Sequence, residues 1–206
     1  ARDIPLIVDG AYGPPFPNIV AGKVTPFWSE RVLWLLSLSK LGLPGVRTGI
    51  VVAGPRWAHR IAELHAIAAL AGGNLGPALV GPLLRSGAVL ELCRREIQPF
   101  YNRKAAAAWR WIEESWPADR EWRVHVCEGA FFFWAWFPAL RIPSYELYRR
   151  LKDRGVIVVS GHHFFAGADE HERHRHECLR VSFAMSEEVV REGLHRIGAV
   201  LREVLR

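Results

Sequence analysis

An α/β architecture, with a mostly parallel sheet first and a small α+β lobe after it, is what the apolar patterning of these 206 residues points to. Three observations carry this reading. Short apolar runs in the first part of the chain are continuous rather than alternating, the mark of strands buried on both faces of a helix-covered sheet. Helical spacing then runs over residues 57–70 and again over 100–116. Beyond Pro117 the pattern breaks into short strands interleaved with two helices.

Taken in order, residues 4–8 read as a strand that ends at Asp9, because Gly13 and the prolines of AYGPPFP forbid regular structure after it. Residues 32–36 and 49–52 are the second and third strands. After the turn AGP a helix is expected over 57–70. Another starts near Pro77, a favoured first-turn residue, with Pro82, Gly87 and Pro99 kinking or interrupting it. The Ala- and Arg-rich stretch 100–116 holds no breaker and reads as a long helix bridging two lobes. Strands follow at 122–126, 130–137, 156–159 and 178–183, with a helix over 144–154 closed by Gly155. The last helix takes Ser186 as its N-cap and gathers Val189, Val190, Leu194, Ile197, Val200, Leu201 and Val204 on one face.

Half of the residues are hydrophobic, enough for one good core or two small ones. No apolar run approaches the roughly 20 residues of a membrane helix, so no segment is expected to span a bilayer. A net charge of +6 would suit an anionic partner. The 27 lysines and arginines are nevertheless dispersed among Asp and Glu, which reads as a solvated Arg-rich surface and not a nucleic-acid patch. Cys93, Cys127 and Cys178 are too scattered for a disulfide framework and suit a reducing, cytoplasmic setting. His162, His163, His171, His174 and His176 crowd one stretch without cysteine partners and with charges between them, a solvated loop rather than a metal site. The opening ARDIPLIVDG has no initiating Met, basic region or long apolar core, so the chain reads as beginning inside a domain.

The chemistry concentrates in three segments. In SLSKLGLPGVRTG, residues 37–49, Lys40 follows a buried strand, where desolvation favours the neutral amine that attacks an aldehyde to make a Schiff base. Ser37, Ser39 and Arg47 supply hydroxyls and a fork of donors suited to a phosphate, and Pro44 and Gly45 give the turn that brings Arg47 back toward Lys40. An ordinary exposed turn has the same composition. In IVDGAYG, Asp9 is a carboxylate at a strand end, suited to pair with a protonated ring nitrogen, and Tyr12 follows within reach; the plainer readings are a turn cap and a half-buried aromatic. In CLRVSFA, Arg180 interrupts an apolar strand and needs an anion, either a ligand carboxylate or an internal partner such as Glu177.

Together these segments resemble the fold-type I, class I and II aminotransferases that depend on pyridoxal 5'-phosphate. The strings DGAYGPPFP, SLSKLGLPGVRTGI, GGNLGPA, EGAFFFWAWF and GHHFFAG, read in order, are similar to the valine–pyruvate aminotransferase branch. GHHFFAG departs from that branch, which carries Asn where His163 stands and Pro where Ser160 and Ala166 stand.

The resemblance implies the aspartate aminotransferase-like fold, with residues 1–104 as the C-terminal part of the large cofactor domain and 105–206 as the small domain. It implies Lys40 as the cofactor lysine and Asp9, Tyr12, Ser37, Ser39 and Arg47 as its companions around the cofactor. Arg180 is implied as the arginine that binds the substrate α-carboxylate. Gly72, Gly73 and Asn74 are implied to approach the cofactor phosphate of a neighbouring subunit in a homodimer, a plain helix-breaking turn being the other reading of the same residues. The apolar loop at Pro15, Phe16 and Pro17, with Phe164 and Phe165, would wall a pocket for a branched aliphatic side chain. The implied reaction is transamination between an aliphatic amino acid and a 2-oxo acid, valine with pyruvate giving 3-methyl-2-oxobutanoate and alanine. Only the C-terminal half of the family's length is matched; if this is the entire polypeptide, the cofactor site lacks a wall and activity is weak or absent. Two other readings are an effector-sensing module of a transcription regulator, whose DNA-binding motif this chain lacks, and an inactive fragment.

Overall fold

The computed structural model describes residues 4–12, 27–70, 72–167, 169 and 171–205. The chain divides into two compact units, the first of residues 1–100 with 128–130, the second of 101–127 with 131–206.

In the first unit β1 (Leu6–Asp9), β2 (Val32–Ser37) and β3 (Gly49–Val52) form a sheet in the order β1-β2-β3. β1 pairs with β2 in parallel, Asp9 opposite Leu35, and β2 pairs with β3 antiparallel, Ser37 opposite Gly49. The β2–β3 link, residues 38–48, is shorter than the dozen or more residues a parallel crossover takes, so the chain turns back antiparallel. Val32, Leu33, Trp34 and Leu36 of β2 are buried, as their continuous apolar run implies. β1 and β3 differ from that expectation: Leu6 and Ile7 are 53% and 60% exposed, and Val51 and Val52 are each 42% exposed. Both are the outer strands of this three-stranded sheet, and an apolar run records a preference for burial, not what covers it.

Helices α1 (Pro55–Ala69), α2 (Leu75–Arg85) and α3 (Ala88–Leu92) follow. α2 runs through Pro82 and stops at Ser86–Gly87, where Gly87 adopts φ +75. α3 leads through a wide π turn at Cys93–Ile97 into α4 (Gln98–Ser115). That turn explains why Pro99 does not interrupt the helix: Gln98 N–H donates back to Cys93 O, and the looser turn absorbs the missing proline donor. Leu38, Leu41, Val80, Val89 and Cys93 make a small core, packed by Leu43, Val46 and Ile50.

In the second unit β4 (Arg123–Val124), β5 (Phe132–Trp136), β6 (Val159–Ser160) and β7 (Cys178–Ser182) form an antiparallel sheet in the order β4-β5-β7-β6. Strands expected over 122–126 and 156–159 shrink to two residues each; Val126 and Ile157 are 84% and 81% exposed, so little packing holds those ends in a ladder. α5 (Ser144–Asp153) packs with α6 (Glu187–Val204), which buries Val190, Leu194, Ile197, Val200, Leu201 and Val204, while Val189 stays exposed. Gly198 lets α6 meet the end of α4, since a Cβ there would overlap Ser115 O. Ser186 holds the N-cap position of α6 without a side-chain cap bond. Among the described residues no single helix is long and apolar enough to cross a membrane.

Candidate active site

The first cluster sits at the C-terminal ends of the parallel pair β1 and β2, the edge where α/β sheets gather ligands. Asp9 closes β1, and its Oδ1 accepts the Ala11 N–H at 3.1 Å. The turn-capping reading of Asp9 therefore holds for one oxygen; the residue is exposed rather than buried, as β1 itself is. Just beyond it, Tyr12 presents its ring to Lys40, whose Nζ lies 5.1 Å from the ring centroid.

Lys40 belongs to a single 3-10 turn, Leu38–Leu41, that caps β2. Leu38 and Leu41 of that turn are buried in the small core, which leaves Ser39 and Lys40 half-buried. Gly42 at φ +87 ends the turn. A second short turn, Pro44–Val46, brings the chain back to Arg47, which is held in the left-handed region at φ 47. Non-glycine residues there carry strain that the surroundings must fix, and such residues gather at functional sites. From it the Arg47 guanidinium reaches Ser39, Nη1 to Oγ at 3.4 Å. The PG turn thus returns Arg47 to the lysine segment as its composition implies.

Two supporting residues escape a reading of motifs alone. Gly76, in GGNLGPA, sits where any Cβ would overlap Val46 O and Thr48 Oγ1, so α2 lies directly on the turn behind Arg47. Gly129, in EGAFFFWAWF, groups with the first unit and lies against Tyr12, whose O would be 3.6 Å from a Cβ at 129. In the sequence only a glycine within an otherwise helical or strand-like pattern hints at either.

Arg180 lies in the second unit, half-buried in β7, with Trp134 of β5 and Val159 of β6 opposite it. Glu177 is not its partner: that buried carboxylate pairs with Arg173 and accepts the Trp136 indole N–H at 2.8 Å. Arg180 instead lies over two rings, its Cζ 4.5 Å from the centroid of Phe132 and 4.9 Å from that of Phe164. Phe164 ends the short turn Gly161–Phe164. Phe165 follows, 6.2 Å from the Trp134 ring. The loop at Pro15, Phe16 and Pro17 lies outside the described residues.

Three of the five histidines in residues 162–176, His162, His163 and His176, form a ring cluster. His162 and His163 lie tilted at 3.9 Å between centroids, His162 is near-parallel to His176 at 6.3 Å, and its Nδ1 is 2.8 Å from Ser160 Oγ. Burial, together with the neighbouring His163, His176 and Arg175, pushes the His162 pKa down. Among the described residues no three His, Cys, Asp or Glu side chains are arranged to hold a metal.

The family model of aminotransferase class I and II matches residues 1–197. The valine–pyruvate aminotransferase of Escherichia coli is 39% identical over 191 residues, 93% of this chain and 46% of that protein. A putative amino-acid aminotransferase of Psychrobacter arcticum superposes with a TM-score of 0.93 at 39% identity, over 98% of this chain and 46% of that one. The α-aminoadipate aminotransferase of Thermus thermophilus, complexed with N-(5'-phosphopyridoxyl)-L-leucine, superposes at 0.77 and 27% identity over 97% and 50%. The chain spans about half the length of the curated relatives it matches.

Proposed function

This chain belongs to the class I and II aminotransferase family, and on that premise we propose that it carries the cofactor-lysine half of a pyridoxal-phosphate-dependent transaminase that moves an amino group between an aliphatic amino acid and a 2-oxo acid. Valine and pyruvate are the pair, by likeness to the Escherichia coli enzyme. Residues 1–104 act as part of the cofactor domain and 105–206 as the small domain.

The single observation that carries the reading is Lys40 Nζ facing the Tyr12 ring beside the strand end that bears Asp9. The donor set suits the cofactor: an amine, a phenol, a carboxylate, and the Arg47–Ser39 pair for phosphate oxygens. Pyridoxal phosphate, when bound, supplies the electron sink that makes the Cα–H of an amino acid acidic. Lys40 would be the amine that holds it and, once displaced by the donor's amino group, its free Nζ would take the proton from the donor's Cα. Asp9 would hold a proton on the pyridine nitrogen through its carboxylate, and Tyr12 would donate its phenolic O–H to the ring oxygen. Ser37, Ser39 and Arg47 would bind the phosphate, and Arg180 would bind the substrate α-carboxylate through its two-pronged edge.

A homodimer is the assembly inferred. α1 buries none of its residues and exposes Leu64 and Ile67 at 65% and 82%, an apolar face that supports an assembly larger than one chain.

The test is the visible absorbance of the chain with added pyridoxal phosphate. A band that needs Lys40 and that valine removes faster than aspartate supports the reading. A preference for aspartate or an aromatic donor over valine and alanine overturns the aliphatic assignment, and a band that persists in Lys40→Ala overturns the role of Lys40.

A further inference from the structure

We propose that Phe132 and Phe164 are positioning residues that hold the Arg180 guanidinium ready for a small apolar monocarboxylate. The inference rests on the reading of Arg180 as the carboxylate anchor and adds how the anchor is held.

Register explains Phe132. Trp134 stands opposite Arg180 and Phe132 opposite Ser182, so Phe132 is the diagonal neighbour of Arg180 on the same sheet face, a separation that a long arginine and a phenyl ring bridge. Its ring centroid is 4.5 Å from Cζ. Phe164 arrives from the other neighbouring strand, at the end of the turn that follows β6, with its centroid 4.9 Å from Cζ.

That turn is pinned from behind. A Cβ on Gly161 would lie 2.6 Å from Cys178 O, so the turn rests directly on the β7 backbone. Ser144 Oγ, Ser160 Oγ and His162 Nδ1 form a chain with 2.8 Å steps beneath it. Trp134 meets the Phe164 ring edge-on at 5.3 Å.

A guanidinium lying on phenyl faces is attracted through its π surface and keeps its in-plane N–H groups for a ligand. A carboxylate neighbour would instead occupy those N–H groups. Among the described residues none pairs with Arg180, and the nearest in sequence, Glu177, is taken by Arg173 and Trp136. The rings therefore restrict the orientation of the arginine without competing for its donors, and pre-organisation of that kind appears as affinity. They also place apolar surface beside the bound carboxylate, which suits an aliphatic side chain.

The experiment follows the Nε–Hε NMR signals of arginine in the whole chain during titration with 3-methylbutanoate, a carboxylate with no amino group to transfer. In the wild type the Arg180 signal, assigned by its loss in Arg180→Gln, is displaced by the ring currents and moves on titration. Phe132→Leu and Phe164→Leu each reduce the displacement and weaken binding roughly 3- to 10-fold, the scale of one cation–π contact. Phe164→Tyr, which keeps a ring, binds within about twofold of the wild type on the same scale. The Arg154 and Arg196 signals, from side chains held by Glu203 and Glu192, report that each variant is folded, and the exposed Phe164 position serves if Phe132→Leu does not fold. Wild-type affinity in both leucine variants overturns the positioning roles alone. A wild-type Arg180 that ignores 3-methylbutanoate overturns the anchor reading and this inference with it.

Discussion

Lys40 Nζ stands 5.1 Å from the centre of the Tyr12 ring, although 27 residues separate the two in sequence and each follows a different strand. The parallel pairing of β1 with β2 produces that meeting, because it brings both C-terminal ends to one edge. Removing only the phenolic oxygen tests what the ring is for. Tyr12→Phe should keep the aromatic face on Lys40 and weaken pyridoxal phosphate binding about 3- to 10-fold, the scale of one hydrogen bond. Unchanged affinity in an absorbance titration would assign Tyr12 a packing role only.

Arg47→Ala should weaken pyridoxal phosphate about 10- to 100-fold, as expected for charge-assisted hydrogen bonds to a phosphate, and leave the affinity for phosphate-free pyridoxal unchanged. Gly76→Ala should shift binding in the same direction by a smaller factor, because the new methyl pushes α2 against the turn that carries Arg47. Equal losses for both ligands in Arg47→Ala would contradict a phosphate role.

The buried Cys178 thiol is pushed up to about 12, chiefly by burial and then by the Glu177 charge, and burial also raises Cys93. Thiolate is the reactive form, so a disulfide reagent should modify the half-buried Cys127 in the native chain and reach the other two only after denaturation. Rapid native labelling of Cys178, mapped by peptide mass, would contradict the packing of β7.

His162 gives a pH dependence of definite sign. Its folded pKa lies below the unfolded value, so between the two the unfolded chain binds more protons and stability falls as pH drops below about 6.5 toward the folded pKa. The urea midpoint should decline from about pH 7.5 to about pH 5.5, a window that brackets the ordinary histidine value. His162→Asn, which keeps a polar group near Ser160 but does not titrate, should decline less. An identical slope in the variant would remove His162 as a source.

How far the sequence reveals this arrangement depends on the range of the interaction. β2 and the lysine turn are legible because a continuous apolar run followed by SLSK and a Pro-Gly turn is local information. The antiparallel direction of β3 is not among the expectations above, although the shortness of residues 38–48 is a local cause for it. The exposure of β1 and β3 is not legible, since Leu6 and Val51 are as apolar as Leu33 and differ only in what lies over them. The histidine stretch folds into short turns at Gly161–Phe164 and Arg173–His176, which leave no 3.6-residue pattern to find. The neighbours of Arg180 depend on strand register: a reading along the chain offers Glu177, three residues away, while the sheet brings Phe132 from 48 residues earlier.

The most direct measurement is borohydride reduction of the chain mixed with pyridoxal phosphate, followed by peptide mapping of the phosphopyridoxyl group. The sequence has four lysines, Lys23, Lys40, Lys104 and Lys152. Lys104 is an internal control, since its amine is buried and bonded to Ala184 O at 3.1 Å and to Met185 O. The group is expected on Lys40, at a ratio approaching one per chain and at cofactor concentrations that leave the other lysines unmodified. Label spread over Lys23 and Lys152, or absent from Lys40, would contradict it.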